Sequence, residues 1–245
     1  AADDRGRAEL VDIAVATENT VVGAPTGGLD QAASLRTQEG RALLLDCLDT
    51  STRQVPFDLA ASGLQLLVID TRAKHSLNDG QYAARRASCE QAAALLGVDT
   101  LRQIDDLGAA IAMMPDATTA ARVRHVVTEI DRTRRLVDLL QDGAPLAGAK
   151  LAEVGALMNG SHDSLRDDYE CTCPELDVAV DTARELGAHG ARMTGGGFGG
   201  SAIALVDADR VDEVARGIVA AYARHGFNEP AFLDATPSAP AGRLV

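Results

Sequence analysis

The sequence has no tryptophan and only three tyrosines and four phenylalanines in 245 residues. A core built on aromatic rings is therefore excluded. Leu, Val, Ile and Ala must do the packing in a chain that is nonetheless 46% hydrophobic. Cysteine is scarce too. Cys47, Cys89, Cys171 and Cys173 are too few and too unevenly spaced for a disulfide framework in a chain of this size. Cys171 and Cys173 suggest half of a metal site, but no matching Cys/His pair follows, so buried free thiols in a reducing cytoplasm are expected. His75 and His162 have no partner at a recognisable ligand spacing and read as structural. No apolar run approaches the ~18–20 residues of a membrane span, and no secretory pattern opens the chain. Positive charge is also short. A net charge of −13 argues against nucleic acid and against an anionic membrane surface as partners. It leaves room for an anionic nucleotide, because a few local donors can outweigh a global field. The length allows one large domain or two lobes.

Glycine, by contrast, is concentrated. Five of the six residues from Gly195 to Gly200 are glycine, interrupted only by Phe198. Each loses more backbone entropy on ordering than any other residue would, so such a run inside a domain needs a reason. Two readings fit: a turn between strands, or a backbone that must come close to a ligand such as a phosphate. Gly195, Gly197 and Gly200 satisfy G-x-G-x-x-G, but a dinucleotide fingerprint must open a helix directly. Here Ser201–Val206 reads as a buried strand, and a helix comes only at about 209.

Periodicity predicts helices over 5–18, 31–35, 101–113, 117–141, 146–158, 174–187 and 209–225. A further helix, capped by Asn78 or Asp79, should run to Leu96 and stop at Gly97. Strands are predicted at 41–47, 53–59, 64–71, 193–194, 201–206 and 231–235. Leu64–Asp70 is apolar enough to be covered on both faces. Strands, then several helices, then strands again point to an α+β fold in two layers.

Three residues stand out for chemistry. Asp30 ends a Gly/Pro-rich turn, which suits either a fixed general base or a cap for the next helix. Glu18 closes the first helix, where a carboxylate can hold Mg²⁺ or merely face solvent. Tyr82 shares a helix face with Arg86, Cys89, Ala93 and Leu96, where a phenol can bond a polyol hydroxyl or sit at the core edge. Arg85 and Arg86 suit surface or interlobe ion pairs.

In order and rough spacing, several blocks resemble the galactokinases, a family of the GHMP small-molecule kinases. They are Thr17-Glu18-Asn19, Gly27-Gly28-Leu29-Asp30-Gln31, Lys74-His75-Ser76-Leu77, Tyr82 to Arg86, Cys173-Pro174-Glu175-Leu176-Asp177 and Ala191 to Gly200. Leu29 stands where many relatives have methionine. The resemblance implies transfer of the γ-phosphoryl group of ATP to the anomeric hydroxyl of D-galactose by a cytoplasmic monomer. Asp30 would be the base, Glu18 would help hold Mg²⁺, and Gly27 and Tyr82 would face the sugar. Gly195, Gly196, Gly197, Phe198 and Gly199 would lie against the phosphate and sugar region. It further implies two lobes: residues 1–62 as the end of a ribosomal protein S5-like N-terminal lobe, and residues 63–245 as a ferredoxin-like C-terminal lobe.

Two family blocks are not seen, the N-terminal sugar-recognition segment and the Gly-Leu-Ser-Ser-Ser phosphate loop. The sequence thus resembles the C-terminal two thirds of such a kinase and by itself should be poorly stable and inactive. An N-acetylgalactosamine kinase, a non-catalytic galactose sensor on the same scaffold, or a truncated reading frame without function are the other readings.

Overall fold

The computed structural model describes residues 3–23, 27–73 and 80–242, except for the side chain of Tyr82. The chain divides into two compact units. One gathers the residues up to Ala61 with Val137–Pro145 and those from Thr236, and the other holds Ser62–Leu136 and Leu146–Ala235.

The first unit opens with helix α1 (Asp4–Thr17), whose N-cap Asp3 accepts from the Gly6 N–H at 2.9 Å. A π-helical turn, Glu18–Val22, continues it and stops at Gly23, whose φ is 75°. Helix α2 (Leu29–Arg36) packs against α1, and the Arg36 guanidinium donates to both carboxylate oxygens of Asp4, at 3.1 and 3.0 Å. That guanidinium lowers the Asp4 pKa from its ordinary value. Strands β1 (Arg41–Leu45) and β2 (Thr52–Pro56) then form an antiparallel ribbon. The C-terminal tail returns to this unit: Ala241 N–H donates to Ser34 O, and Arg7 reaches both Leu35 O and Ala241 O.

The second unit is built on strand β3 (Leu64–Asp70), β4 (Gly190–Thr194), β5 (Ser201–Asp207) and β6 (Ala231–Asp234). Their spatial order is β4-β5-β3-β6, antiparallel throughout. With α7 (Pro174–Glu185) before β4 and α8 (Val211–His225) before β6, this is the β-α-β-β-α-β ferredoxin-like arrangement. Between β3 and α7 lie α3 (Gln81–Leu96), α4 (Leu107–Ala112), α5 (Ala117–Leu140) and α6 (Gly148–Asp167). The fold is α+β, as the order of elements implied.

Alternate residues of the sheet carry the main core. Leu67 and Ile69, Ala191 and Met193, and Ala202, Ala204 and Val206 meet Leu176, Val180, Val214, Ile218 and Tyr222 from α7 and α8. Small alanines on the strands let the helices approach, and each large side chain buried there contributes roughly 1.5–3 kcal/mol. A second, all-helical cluster joins Ala92, Ala93, Leu101, Ala110 and Val123.

Several expectations are corrected. The strand Leu64–Asp70 is not covered on both faces: Leu67 and Ile69 are buried, but Leu66 and Val68 stay half-buried, because an antiparallel sheet needs helices on one side only. The helix expected over 101–113 breaks into a 3₁₀ turn (Leu101–Gln103) and α4, because Thr100 and Gln103 cap the first and Asp106 caps the second through the Ala109 N–H. Helix α6 does not stop near Met158 but runs to Asp167, because Ser161, His162 and Leu165 are buried on its inner face. All four cysteines are free, but Cys47 is exposed. Asn78, Asp79 and the Lys74–Leu77 motif lie outside the described residues; the described part of α3 follows Gly80 and ends at Gly97, both left-handed.

Candidate functional site

The glycine run joins β4 to β5 as a hairpin connection, with Thr194 paired to Ser201. No helix follows it directly, which disposes of the dinucleotide fingerprint. Its backbone is unusual: Gly195, Gly197, Phe198, Gly199 and Gly200 have φ of 81°, 84°, 61°, 138° and 82°. Left-handed backbone costs a side-chain-bearing residue roughly 1–2 kcal/mol, so glycine is required at most of these positions and Phe198 is held there under strain.

Three contacts hold it. The Phe198 N–H donates to Cys171 O at 2.6 Å. A Cβ on Gly197 would lie 2.2 Å from that same oxygen, so only glycine fits. At the far end Thr71 donates both its backbone N–H and its hydroxyl to Gly200 O. The tip, Thr194–Gly196, stays exposed, and nothing lies within 4 Å of a Cβ built on Gly195 or Gly196.

The platform under the loop is the segment Asp168–Cys171. Arg85 donates to Tyr169 O at 2.6 Å and Glu170 O at 2.8 Å, and its guanidinium lies 5.7 Å from the Phe198 ring centre. Arg122, almost fully buried, reaches Asp168 O and the Glu170 carboxylate. Arg85 is therefore a backbone anchor and not the ion-pair partner expected of it, whereas Arg86 does pair with Glu90 at the surface. Sequence reasoning missed Arg122 and Thr71 altogether, since neither belongs to a motif with its own spacing. Cys171 acts through its carbonyl: burial pushes its thiol up to about 11, so it stays protonated and unreactive.

Next to the platform is a buried polar network. Glu129 on α5 accepts from Arg132 (2.7 Å), Arg192 (3.0 Å) and Ser161. Burial works to raise its pKa, but Arg192, Ser161 and Arg132 outweigh it and the net shift is downward. His125 stacks on Tyr169 and faces the Ser164 hydroxyl at 3.0 Å; burial drives its pKa down to about 4, keeping the ring neutral.

Glu18, Gly27 and Asp30 belong to the first unit. Gly28 is the N-cap of α2, with φ 83° and no side-chain cap, and a Cβ there would lie 2.9 Å from Val15 Cγ2. Asp30 is the second residue of α2 and not its cap, so the capping role is ruled out. Its carboxylate is exposed and has no hydrogen bond or ion pair among the described residues. Gly27 is exposed beside it in sequence. Glu18 is half-buried and likewise unpaired among the described residues. Tyr82 lies in the first turn of α3 in the second unit, with its side chain outside the description. No group of three or more His, Cys, Asp or Glu suited to a metal occurs among the described residues.

Residues 136–224 match the family described as GHMP kinases C terminal. That stretch is similar to the C-terminal domain of the GHMP kinases. Around it the chain is similar to galactokinases over nearly its whole length. Galactokinase of Streptomyces coelicolor is 52% identical across 97% of this chain and 60% of that protein. Galactokinase of Streptomyces lividans is 49% identical across 94% and 57%, and that of Mycobacterium tuberculosis H37Rv 45% across 96% and 63%. The chain thus spans about 60% of the length of the curated relatives it matches. Among solved structures, Lactococcus lactis galactokinase complexed with galactose aligns with a TM-score of 0.88 at 32% identity, covering 97% of this chain and 61% of that one. L. major mevalonate kinase in complex with R-mevalonate is similar in fold at a TM-score of 0.55 and 21% identity, over 95% of this chain and 59% of that one.

Proposed function

We propose that this chain is part of a galactokinase, which moves the γ-phosphoryl group of ATP to the anomeric hydroxyl of D-galactose. The similarity at 52% identity over 97% of the chain carries the reading. Phosphoryl transfer asks a protein mainly for alignment and charge compensation, with a carboxylate to take the nucleophile's proton. An exposed Asp30 carboxylate with no partner among the described residues suits that base. The anomeric hydroxyl is more acidic than an ordinary alcohol, so an ionised aspartate is strong enough. Gly27 and Tyr82 contact the sugar in this reading. The loop Gly195–Gly199, with its open tip and side-chain-free backbone, lies against the phosphate and sugar region.

Glu18 fits Mg²⁺, a hard cation that takes one or two protein carboxylates and leaves its other positions to water and phosphate. When bound, Mg²⁺ would neutralise charge on the phosphates. The reading also takes the protein to be a cytoplasmic monomer whose partners are ATP and galactose; among the described residues no helix is long and apolar enough to cross a membrane.

The test is Asp30→Asn in the complete gene product. ATP-dependent phosphorylation of galactose should fall by about 10²–10⁴-fold, while galactose binding by calorimetry persists. Undiminished turnover in the variant removes Asp30 from the reaction. A wild-type protein that binds galactose but never releases ADP points instead to a sugar sensor.

A further inference from the structure

Strand β4, which leads into the glycine loop, is an edge strand: β5 pairs one side and, among the described residues, no strand pairs the other. An edge leaves a row of N–H and C=O groups that must find partners. On β4 these belong to Ala191 and Met193, both buried. Side chains take all four. The Ala191 N–H donates to Asn159 Oδ1 at 2.9 Å, and the Met193 N–H donates to His162 Nδ1 at 3.1 Å. Ala191 O accepts from Arg184 at 3.0 Å, and Met193 O accepts from Arg192 at 2.9 Å. Asn159 and His162 are three apart on α6 and so project from one face.

We infer that Asn159 and His162 are positioning residues for the glycine loop, standing in for the missing neighbour strand and fixing the backbone from which Gly195 departs. A backbone N–H can only donate, so His162 Nδ1 must be the unprotonated nitrogen and the ring carries its proton on Nε2. That Nε2 lies 3.3 Å from Asp177 Oδ1, too loosely placed for a well-formed hydrogen bond but close enough to hold the tautomer. Asp177 belongs to the Cys173–Asp177 block, so that block gains a purpose: it orients the imidazole that anchors β4. The helix also comes close enough to do this because Gly155 and Gly190 meet backbone to backbone; a Cβ on Gly155 would lie 2.0 Å from His189 O.

The inference rests on the galactokinase reading for its activity readout. The test compares His162→Asn with His162→Gln in the complete gene product. Asn places an oxygen where Nδ1 stood and keeps the acceptor; Gln places its polar end where Nε2 stood and loses it. His162→Asn should keep kcat within about threefold, whereas His162→Gln should lose on the order of 10-fold or more in kcat, because displacing aligned groups by about an ångström is that costly. KM for galactose should change far less, and hydrogen exchange at the Met193 amide should rise in His162→Gln alone. If His162→Gln does not fold, Asn159→Ala, which frees only the Ala191 N–H, should show the same kcat loss. Equal effects of Asn and Gln, or a folded His162→Gln or Asn159→Ala with wild-type kcat, overturn the inference. If the wild-type enzyme has no galactose-dependent turnover, the functional reading fails, and Met193 exchange still decides whether the clamp exists.

Discussion

Adding one methyl group to Gly195, Gly196 and Gly197 in turn separates what the β4–β5 loop needs for shape from what it needs for a ligand. At Gly197 the φ of 84° would cost alanine roughly 1–2 kcal/mol. The new Cβ would also stand 2.2 Å from Cys171 O, more than an ångström inside ordinary contact, so the backbone must retreat and the Phe198 N–H loses its acceptor. A buried polar group left unpaired costs about 1–3 kcal/mol, which brings Gly197→Ala to about 2–5 kcal/mol. At Gly195 the φ of 81° is strained but nothing lies within 4 Å, so the cost stops at roughly 1–2 kcal/mol. Gly196 has neither a left-handed φ nor a near neighbour, and its alanine variant should stay within about 0.5 kcal/mol of wild type. Urea midpoints of the complete gene product should therefore fall in the order Gly196, Gly195, Gly197. Activity adds the decisive comparison. A loop that is only a turn predicts that Gly196→Ala is silent in turnover as well. A loop against the phosphates predicts a loss on the order of 10-fold or more, since a methyl group there would displace aligned substrate. Three variants of equal stability would refute the steric account, and a fully active Gly196→Ala would refute the ligand account.

Gly155→Ala should destabilise the second unit by about 1–3 kcal/mol or more, measured by thermal unfolding, because α6 must move off His189 O. Stability should also fall in mild acid. The folded pKa of His125, about 4, lies below its ordinary 6.5, so the unfolded chain binds a proton first. Stability from this group is complete above pH 6.5 and is lost as pH falls toward 4, about 2 kcal/mol of it between pH 7 and 5. Glu129, shifted down, is lost only at lower pH. Urea titrations of His125→Asn should lack the step between pH 7 and 5; an unchanged profile would clear His125 of it.

Local pattern made most of the elements legible. The strand positions, the long α5 and the stop at Gly97 all follow from apolar spacing and glycine placement. The C-terminal end of α6 was not, because Asn159-Gly160-Ser161-His162 interrupts the apolar spacing. Asn159 and His162 turn inward there to accept from the edge of β4, a demand made by a strand that comes much later in the chain. Asp30 was legible as a residue but not in its surroundings: aspartate after glycine fits a cap as well as a base, and Gly28 at the N-cap of α2 removes only the cap. Arg85 and Arg122 were opaque for another reason. Arginine serves carbonyls, carboxylates and ring faces alike, and what each meets is set by the turn at Asp168–Cys171, not by neighbours in sequence.

Phe198 ties these levels together. It is the one residue with a side chain in a run of left-handed backbone, at φ 61°, and glycine there would remove roughly 1–2 kcal/mol of strain. A strained residue persists only where its surroundings over-determine it. Here they do: the Phe198 N–H is fixed on Cys171 O, the ring lies under Arg85, and Arg85 is itself fixed on the two carbonyls just before Cys171. The loop thus closes a circle in which its backbone, its single side chain and its platform each hold the others. Glycines alone would leave the tip free to wander. Phe198 anchors it, so the bare backbone of Gly195 and Gly196 is presented to solvent by a rigid base, as a loop that aligns a transferring group requires.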